Sequence, residues 1–223
     1  MYFYLQREAS SYIKGYQADH FFTMRVKPGD TLETTDLQGT LTKIRVSEID
    51  KKNRTIFYDT VEEKKYLAYT SENVLFQAIT DKAYLEKMIE TTPHAHVDKV
   101  YLFVSDRSPV GGVIQDRLEK ILIRSCEQAQ KLFKPTIKIV DKLDLPDLIS
   151  THSPIVLQAG SISQNISSSG LGSSKSVIVG PEGGWSQGEI ATFKENDLRF
   201  ESLGSEVYPA WLAGYTWFVK HRE

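Results

Sequence analysis

The run Ser176-Val177-Ile178-Val179-Gly180-Pro181-Glu182-Gly183-Gly184-Trp185-Ser186, with Glu189 three residues on, leaves few folds open to this chain. Three consecutive β-branched residues, Val177 to Val179, have the pattern of a strand covered on both faces. Gly180 lets the backbone leave that strand at dihedrals other residues avoid. Pro181 fixes its own φ and has no N–H to donate. Gly183 and Gly184 allow backbone N–H groups to approach a ligand without side-chain obstruction. Ser186 with Glu189 is a capping box, which predicts a helix from Gln187. Strand, tight loop and capped helix form the unit of an open α/β sheet, where ligands bind at the carboxyl ends of strands. A tight turn that binds nothing is the alternative. Neither a P-loop nor a Gly-x-Gly-x-x-Gly fingerprint fits these residues.

From about residue 72 the same rhythm repeats. Strands are predicted at 74–79, 99–104, 136–140, 154–159, 176–180 and 199–203, and helices at 82–91, 113–133, 187–196 and 210–219. The longest helix carries Ile114, Leu118, Ile121, Leu122, Cys126, Ala129, Leu132 and Phe133 on an amphipathic stripe. Alternation of this kind implies a mostly parallel sheet with helices on its faces. A second glycine-containing junction, Leu203-Gly204-Ser205-Glu206-Val207-Tyr208, leads to Pro209, a residue suited to a helix start. If strands 176–180 and 199–203 are sheet neighbours, the loops after them share one pocket. The serine-rich connection 161–175 has little apolar surface with which to dock a helix. It reads as a surface loop, or as a substrate-side loop that orders on binding.

Residues 1–70 differ in character. The apolar and aromatic run from His20 to Val26 and the turn Lys27-Pro28-Gly29-Asp30 precede predicted strands at 31–35, 40–48 and 55–61. Short strands without helical periodicity suggest a small barrel. The expected domains are therefore 1–70 and 72–223. A single cysteine, Cys126, excludes an intrachain disulfide and a cysteine metal cluster. The histidines show no metal-ligand spacing with carboxylates, so no metal is expected. No apolar run is long enough to span a membrane. The start, Met1-Tyr2-Phe3-Tyr4, lacks the basic residues and long apolar core of a signal peptide, so a cytoplasmic setting is expected. A net charge of −2 announces no nucleic-acid binder, so RNA contacts would need local basic clusters.

Gly180 to Ser186, Glu189 and Leu203-Gly204 together resemble the ribosomal RNA small subunit methyltransferase E family, within the SPOUT class. His20 to Asp30, ending in Met24-Arg25-Val26-Lys27-Pro28-Gly29-Asp30, resembles that family's N-terminal PUA-like barrel. Ser105-Asp106-Arg107-Ser108 and Cys126-Glu127-Gln128-Ala129 resemble two further segments. The resemblance implies a C-terminal parallel sheet tied in a trefoil knot, a PUA-like RNA-binding barrel and a homodimer. It also implies methyl transfer from S-adenosylmethionine to N3 of a uridine in 16S ribosomal RNA, the small ribosomal subunit being the partner. The implied cofactor contacts are Leu157, Gly160, Val179, Gly180, Pro181, Glu182, Gly183, Gly184, Leu203, Gly204, Ser205 and Val207. Glu182 is expected to hold the loop. Arg25, Arg107 and Glu127 are the implied catalytic candidates, the arginines being suited to phosphate or uracil oxygens.

The chain departs from that family at its last junction, usually Leu-Gly-x-Arg-Ile-Leu-Arg-x-Glu-Thr-Ala. Glu206 replaces the first arginine, Pro209 the second and Trp211 the acid. The family's Gln-Lys-x-x-Glu-Leu-Gly segment and N-terminal arginine are also missing. Three other readings follow: a divergent RNA-binding relative with weak or no catalysis, a methyltransferase with another RNA substrate, and a small-molecule α/β enzyme using the same pocket.

Overall fold

Two patterns of burial run through the chain, one alternating and one continuous, and they belong to two compact units. The structure, a computed structural model, describes residues 2–4, 11–68, 70, 72–109, 112–160 and 175–222. The first unit takes in the described part of Met1–Ala68 together with Ile123–Lys134. The second takes in Tyr69–Leu122 and Pro135–Glu223.

The first unit contains β1 (Tyr2–Tyr4), β2 (Tyr12–Ile13), α1 (Gly15–Thr23), β3 (Thr31–Thr35), β4 (Thr40–Asp50) and β5 (Thr55–Lys65). They form one sheet in the order β1-β3-β4-β5-β2, with only the β1–β3 pair parallel. Alternation places Ile44 and Val46 of β4 on the buried face, with Phe3, Ile13 and Ile56. Register shifts between Lys43 and Ile44, and between Val46 and Glu48, bend the β4–β5 ribbon over this core. The run at His20 to Val26, expected to be β-like, is instead the end of α1. Ala18 and Phe21, three residues apart, face the core, and that burial outweighs the β preference of the aromatic residues. Phe133 packs against Gly39, whose φ of 98° and missing Cβ admit the ring.

The second unit contains β6 (Val74–Ala78), α2 (Lys82–Thr91), a 3₁₀ turn (Thr92–Ala95), β7 (Lys99–Phe103), α3 (Gln115–Gln128), β8 (Thr136–Val140) and α4 (Leu145–His152). It continues with β9 (Ile155–Leu157), β10 (Ser176–Val179), α5 (Gln187–Glu195), β11 (Phe200–Glu201) and α6 (Ala210–Lys220). The second half of α3 belongs to the first unit. The sheet is wholly parallel, in the order β11-β9-β10-β6-β7-β8. Every residue of β6 is buried, as a strand covered on both faces requires. One face packs Phe76, Phe103, Ile178 and Trp185 into a common core. On the other face α6 lies close: a Cβ on Gly214 would stand 2.8 Å from Leu75 Cδ1.

Three expectations are corrected. β9 lies between β10 and β11, so the two glycine-bearing strands are not neighbours. α3 stops at Gln128, short of the expected residue 133. α4 was not expected; it is eight residues long and offers only Leu145, Leu148 and Ile149 as an apolar stripe. The serine-rich stretch 161–174 lies outside the described residues. Among the described residues no helix is long and apolar enough to cross a membrane.

Candidate functional site

The carboxyl ends of β9, β10 and β11 open on one cavity of about 550 Å³. Three loops wall it: the residues after Leu157, the stretch from Gly180 to Trp185, and the stretch from Ser202 to Pro209, with Ala210 and Ala213 of α6. The missing strand adjacency therefore does not separate the loops; β9 adds a third.

Trp185 organises the β10 loop. A Cβ on Gly180 would stand 3.1 Å from the Trp185 ring, so glycine is what lets the indole tuck beneath the loop. The indole stacks nearly parallel to Phe103, meets Phe193 edge-on at 4.9 Å, and donates from Nε1 to the Leu157 carbonyl at 2.9 Å. The end of β9 is thereby tied to the β10 loop. Gly184, at φ 67°, turns its N–H onto the Pro181 carbonyl at 2.9 Å. That N–H is spent inside the turn and is not the free donor expected from the sequence.

The capping box of α5 is formed. Glu189 N–H donates to Ser186 Oγ (3.1 Å), and Ser186 N–H donates to Glu189 Oε2 (2.8 Å). The loop after β7 clasps it from outside. Ser186 Oγ donates to Asp106 Oδ2 at 2.6 Å, and Asp106 N–H donates to Glu189 Oε1 at 3.1 Å. The Ser186 hydroxyl holds the Asp106 carboxyl below the usual carboxylate range; Lys142, at 3.5 Å, acts in the same direction and desolvation acts against both. Arg107 Nη1 donates to the Gly183 carbonyl at 2.7 Å.

The β11 loop rests on a buried carboxylate. Glu201 Oε2 accepts from Trp217 Nε1 at 2.9 Å, and its Oε1 lies 3.4 Å from His221 Nε2. His221 Nδ1 lies 2.8 Å from the Trp217 carbonyl, which can only accept, so Nδ1 carries a hydrogen. Beyond Glu201, Ser202 Oγ donates to the Gly204 carbonyl at 2.9 Å.

Of the residues expected from the sequence, Leu157, Val179, Gly180, Pro181, Glu182, Gly184, Leu203 and Val207 line the cavity. Gly160, Gly183, Gly204 and Ser205 belong to the same loops without lining it. Glu182 makes no hydrogen bond among the described residues; the ties described for the loop run through Trp185 and Arg107. Arg107 is exposed in the second unit. Arg25 and Glu127 lie in the first. Arg25 is the left-handed residue (φ 57°) that ends α1, its N–H donating to the Phe22 carbonyl. Glu127 is buried and accepts the Tyr4 N–H at 2.8 Å. Burial pushes its carboxyl up, against the pull of Tyr4, His20 and Arg124.

Sequence reading passed over Trp185, Glu201 and Tyr208 as cavity residues. Trp185 stood within the motif itself. Glu201 had no local signal, because its partners lie 16 and 20 positions further along the chain. A smaller cleft of about 290 Å³ lies between the starts of α2 and α3, beside the bidentate Glu86–Arg117 pair. It holds none of the expected residues. No group of three or more His, Cys, Asp or Glu side chains among the described residues is placed to hold a metal.

Comparison with known proteins follows the same ground. A family model described as an RNA methyltransferase domain matches residues 69–208. The chain is 27% identical over 209 residues to ribosomal RNA small subunit methyltransferase E of Helicobacter pylori strain J99, covering 87% of this chain and 84% of the relative. The Rickettsia conorii protein of the same name is 26% identical over 182 residues, covering 77% of this chain and 72% of that protein. Among solved structures, ribosomal RNA small subunit methyltransferase E from Neisseria gonorrhoeae, bound to S-adenosylmethionine, superposes with a TM-score of 0.84 at 18% identity. It covers 98% of this chain and 94% of its own. A Legionella pneumophila putative methyltransferase with bound cofactor superposes at 0.82 and 18% identity, over 98% and 95% of the two chains. At that identity the likeness establishes the α/β fold with its parallel sheet and N-terminal sheet.

Proposed function

Because this chain belongs to the RNA methyltransferase domain family, we propose that it methylates N3 of a uridine in 16S ribosomal RNA, using S-adenosylmethionine. The observation that carries the reading is the 550 Å³ cavity walled by the loops after β9, β10 and β11. Its size suits a nucleoside-sized ligand. When bound, the cofactor supplies an electrophilic methyl on a sulfonium.

The chain's own part is to position the cofactor and the uridine. Leu157, Val179 and Val207 provide apolar wall, and backbone edges at the strand ends provide donors and acceptors for an adenine. Trp185 and Arg107 fix the Gly180 to Gly184 loop before any ligand arrives, which lowers the cost of ordering on binding. Arg107 has guanidinium N–H groups beyond the one held by Gly183, and these can meet uracil oxygens or phosphate. The uracil N3 proton must leave as the new bond forms, and donors aimed at the uracil oxygens stabilise the charge left behind. In this reading residues 1–70 form a PUA-like RNA-binding barrel, and the protein is a cytoplasmic homodimer. The trefoil knot of the SPOUT class belongs to it too, supported by a strand order in which the chain leaves β10 and passes to the far side of β9 to pair β11 there.

One observation favours a second reading, a relative that binds RNA with weak or no catalysis or that acts on another RNA. Glu206 lines the cavity, and no Lys, Arg or His does so among the described residues. Incubating the purified chain with unmethylated small subunits and S-adenosylmethionine, followed by nucleoside mass spectrometry, separates the two. N3-methyluridine supports the first reading. Cofactor binding without methylated product supports the second.

A further inference from the structure

The cavity wall carries charge of one sign. Glu182, Glu201 and Glu206 line it, opposed by no cationic side chain among the described lining residues. Glu201 is buried, with one oxygen accepting from the Trp217 indole and the other 3.4 Å from His221 Nε2. Glu182 and Glu206 are exposed, and among the described residues neither has a hydrogen-bond or ion-pair partner. Glu206 Oε2 lies 3.2 Å from where a Cβ on Gly204 would stand, so the carboxylate lies back over its own loop at the cavity wall.

We infer that Glu206, assisted by Glu182, makes the cavity select its ligand by charge, favouring the sulfonium donor over the thioether left after transfer. This rests on the reading of the cavity as the S-adenosylmethionine site. Near neutral pH the donor carries a sulfonium, an ammonium and a carboxylate, a net charge of +1. On transfer the S–CH₃ bond breaks with its electron pair kept by sulfur, the N3–CH₃ bond forms, and the N3 proton leaves to solvent. The thioether that remains has no net charge. A carboxylate at the wall with no partner among the described residues therefore attracts the donor and gives the product nothing comparable. Glu206 thus biases the site against holding its own product.

The test is titration calorimetry of the full chain with S-adenosylmethionine, S-adenosylhomocysteine and sinefungin, which carries an ammonium where the donor has its sulfonium. Glu206→Gln keeps the side chain's size and removes its charge. The expected result is about a fivefold weaker affinity for the two cationic ligands, with less than a twofold change for the thioether. The difference shrinks as salt is raised, and Glu182→Gln gives a smaller change in the same direction. Equal weakening of all three ligands, or no change in any, overturns the inference while leaving the cofactor reading standing. Failure of the unsubstituted chain to bind any of the three overturns both.

Discussion

Ser186 joins two structures through one hydroxyl: it caps α5 by accepting from Glu189 N–H, and it donates to Asp106 across the fold. Replacing it with alanine removes the cap and one of the two hydrogen bonds that tie Asp106 to the start of α5, leaving the one from Asp106 N–H to Glu189. The expected cost is about 1 kcal/mol, read as a melting temperature lower by about 2–4 °C. Cofactor affinity should fall with it, because the Gly180 to Gly184 loop enters α5 at this residue. Glu127 makes a different prediction. Its carboxyl is pushed up by burial, so between the usual carboxylate value and its raised one the folded chain holds more protons than the unfolded chain. Stability from this group is complete at the acid end of that window and is lost as pH rises through it. Thermal melts of Glu127→Gln should therefore gain on the original chain as pH rises. A constant difference across pH would show that the carboxylate titrates normally. Arg25, singled out by resemblance, ends α1 in a left-handed conformation that glycine adopts without strain. Arg25→Gly should hold or raise stability, whatever it does to RNA binding.

At the scale of elements, α6 approaches the sheet because position 214 has no side chain. Gly214→Ala would put a Cβ 2.8 Å from Leu75, itself buried in β6. Overpacking of this kind costs about 1–3 kcal/mol, and equilibrium denaturation should show it as a lower midpoint. The elements also show what could be read in advance. Strands 74–79 and 99–104, and helices 82–91 and 187–196, announced themselves through short apolar runs, apolar spacing and the Ser186–Glu189 box, all local signals. α4 gave too short a stripe. The end of α1 was hidden by the β-favouring His20-Phe21-Phe22, whose burial is settled by Phe3 and Ile56 far away in sequence. The place of β9 between β10 and β11 is a matter of sheet order, which no local pattern encodes. The cavity was legible in its two glycine junctions for the same reason that Glu201 was not: the loops carry motifs, whereas the bond from Trp217 to Glu201 joins residues that only the finished fold brings together.

For the whole molecule, a net charge of −2 gives no general attraction to RNA, so the proposed RNA recognition would rest on local cationic groups, for which Arg107 and Arg25 are the candidates. The first unit supplies a bent, mostly antiparallel sheet, and the second supplies a parallel sheet with a cavity at its carboxyl edge. The family match covers the second unit almost from end to end apart from α6. The losses at Glu206, Pro209 and Trp211 make the catalytic claim the one most exposed to refutation. It is tested most directly by nucleoside mass spectrometry of 16S ribosomal RNA from cells in which the gene is deleted and then restored. The expected result is that N3-methyluridine disappears on deletion and returns with the intact gene. N3-methyluridine at full level in the deletion strain would contradict it.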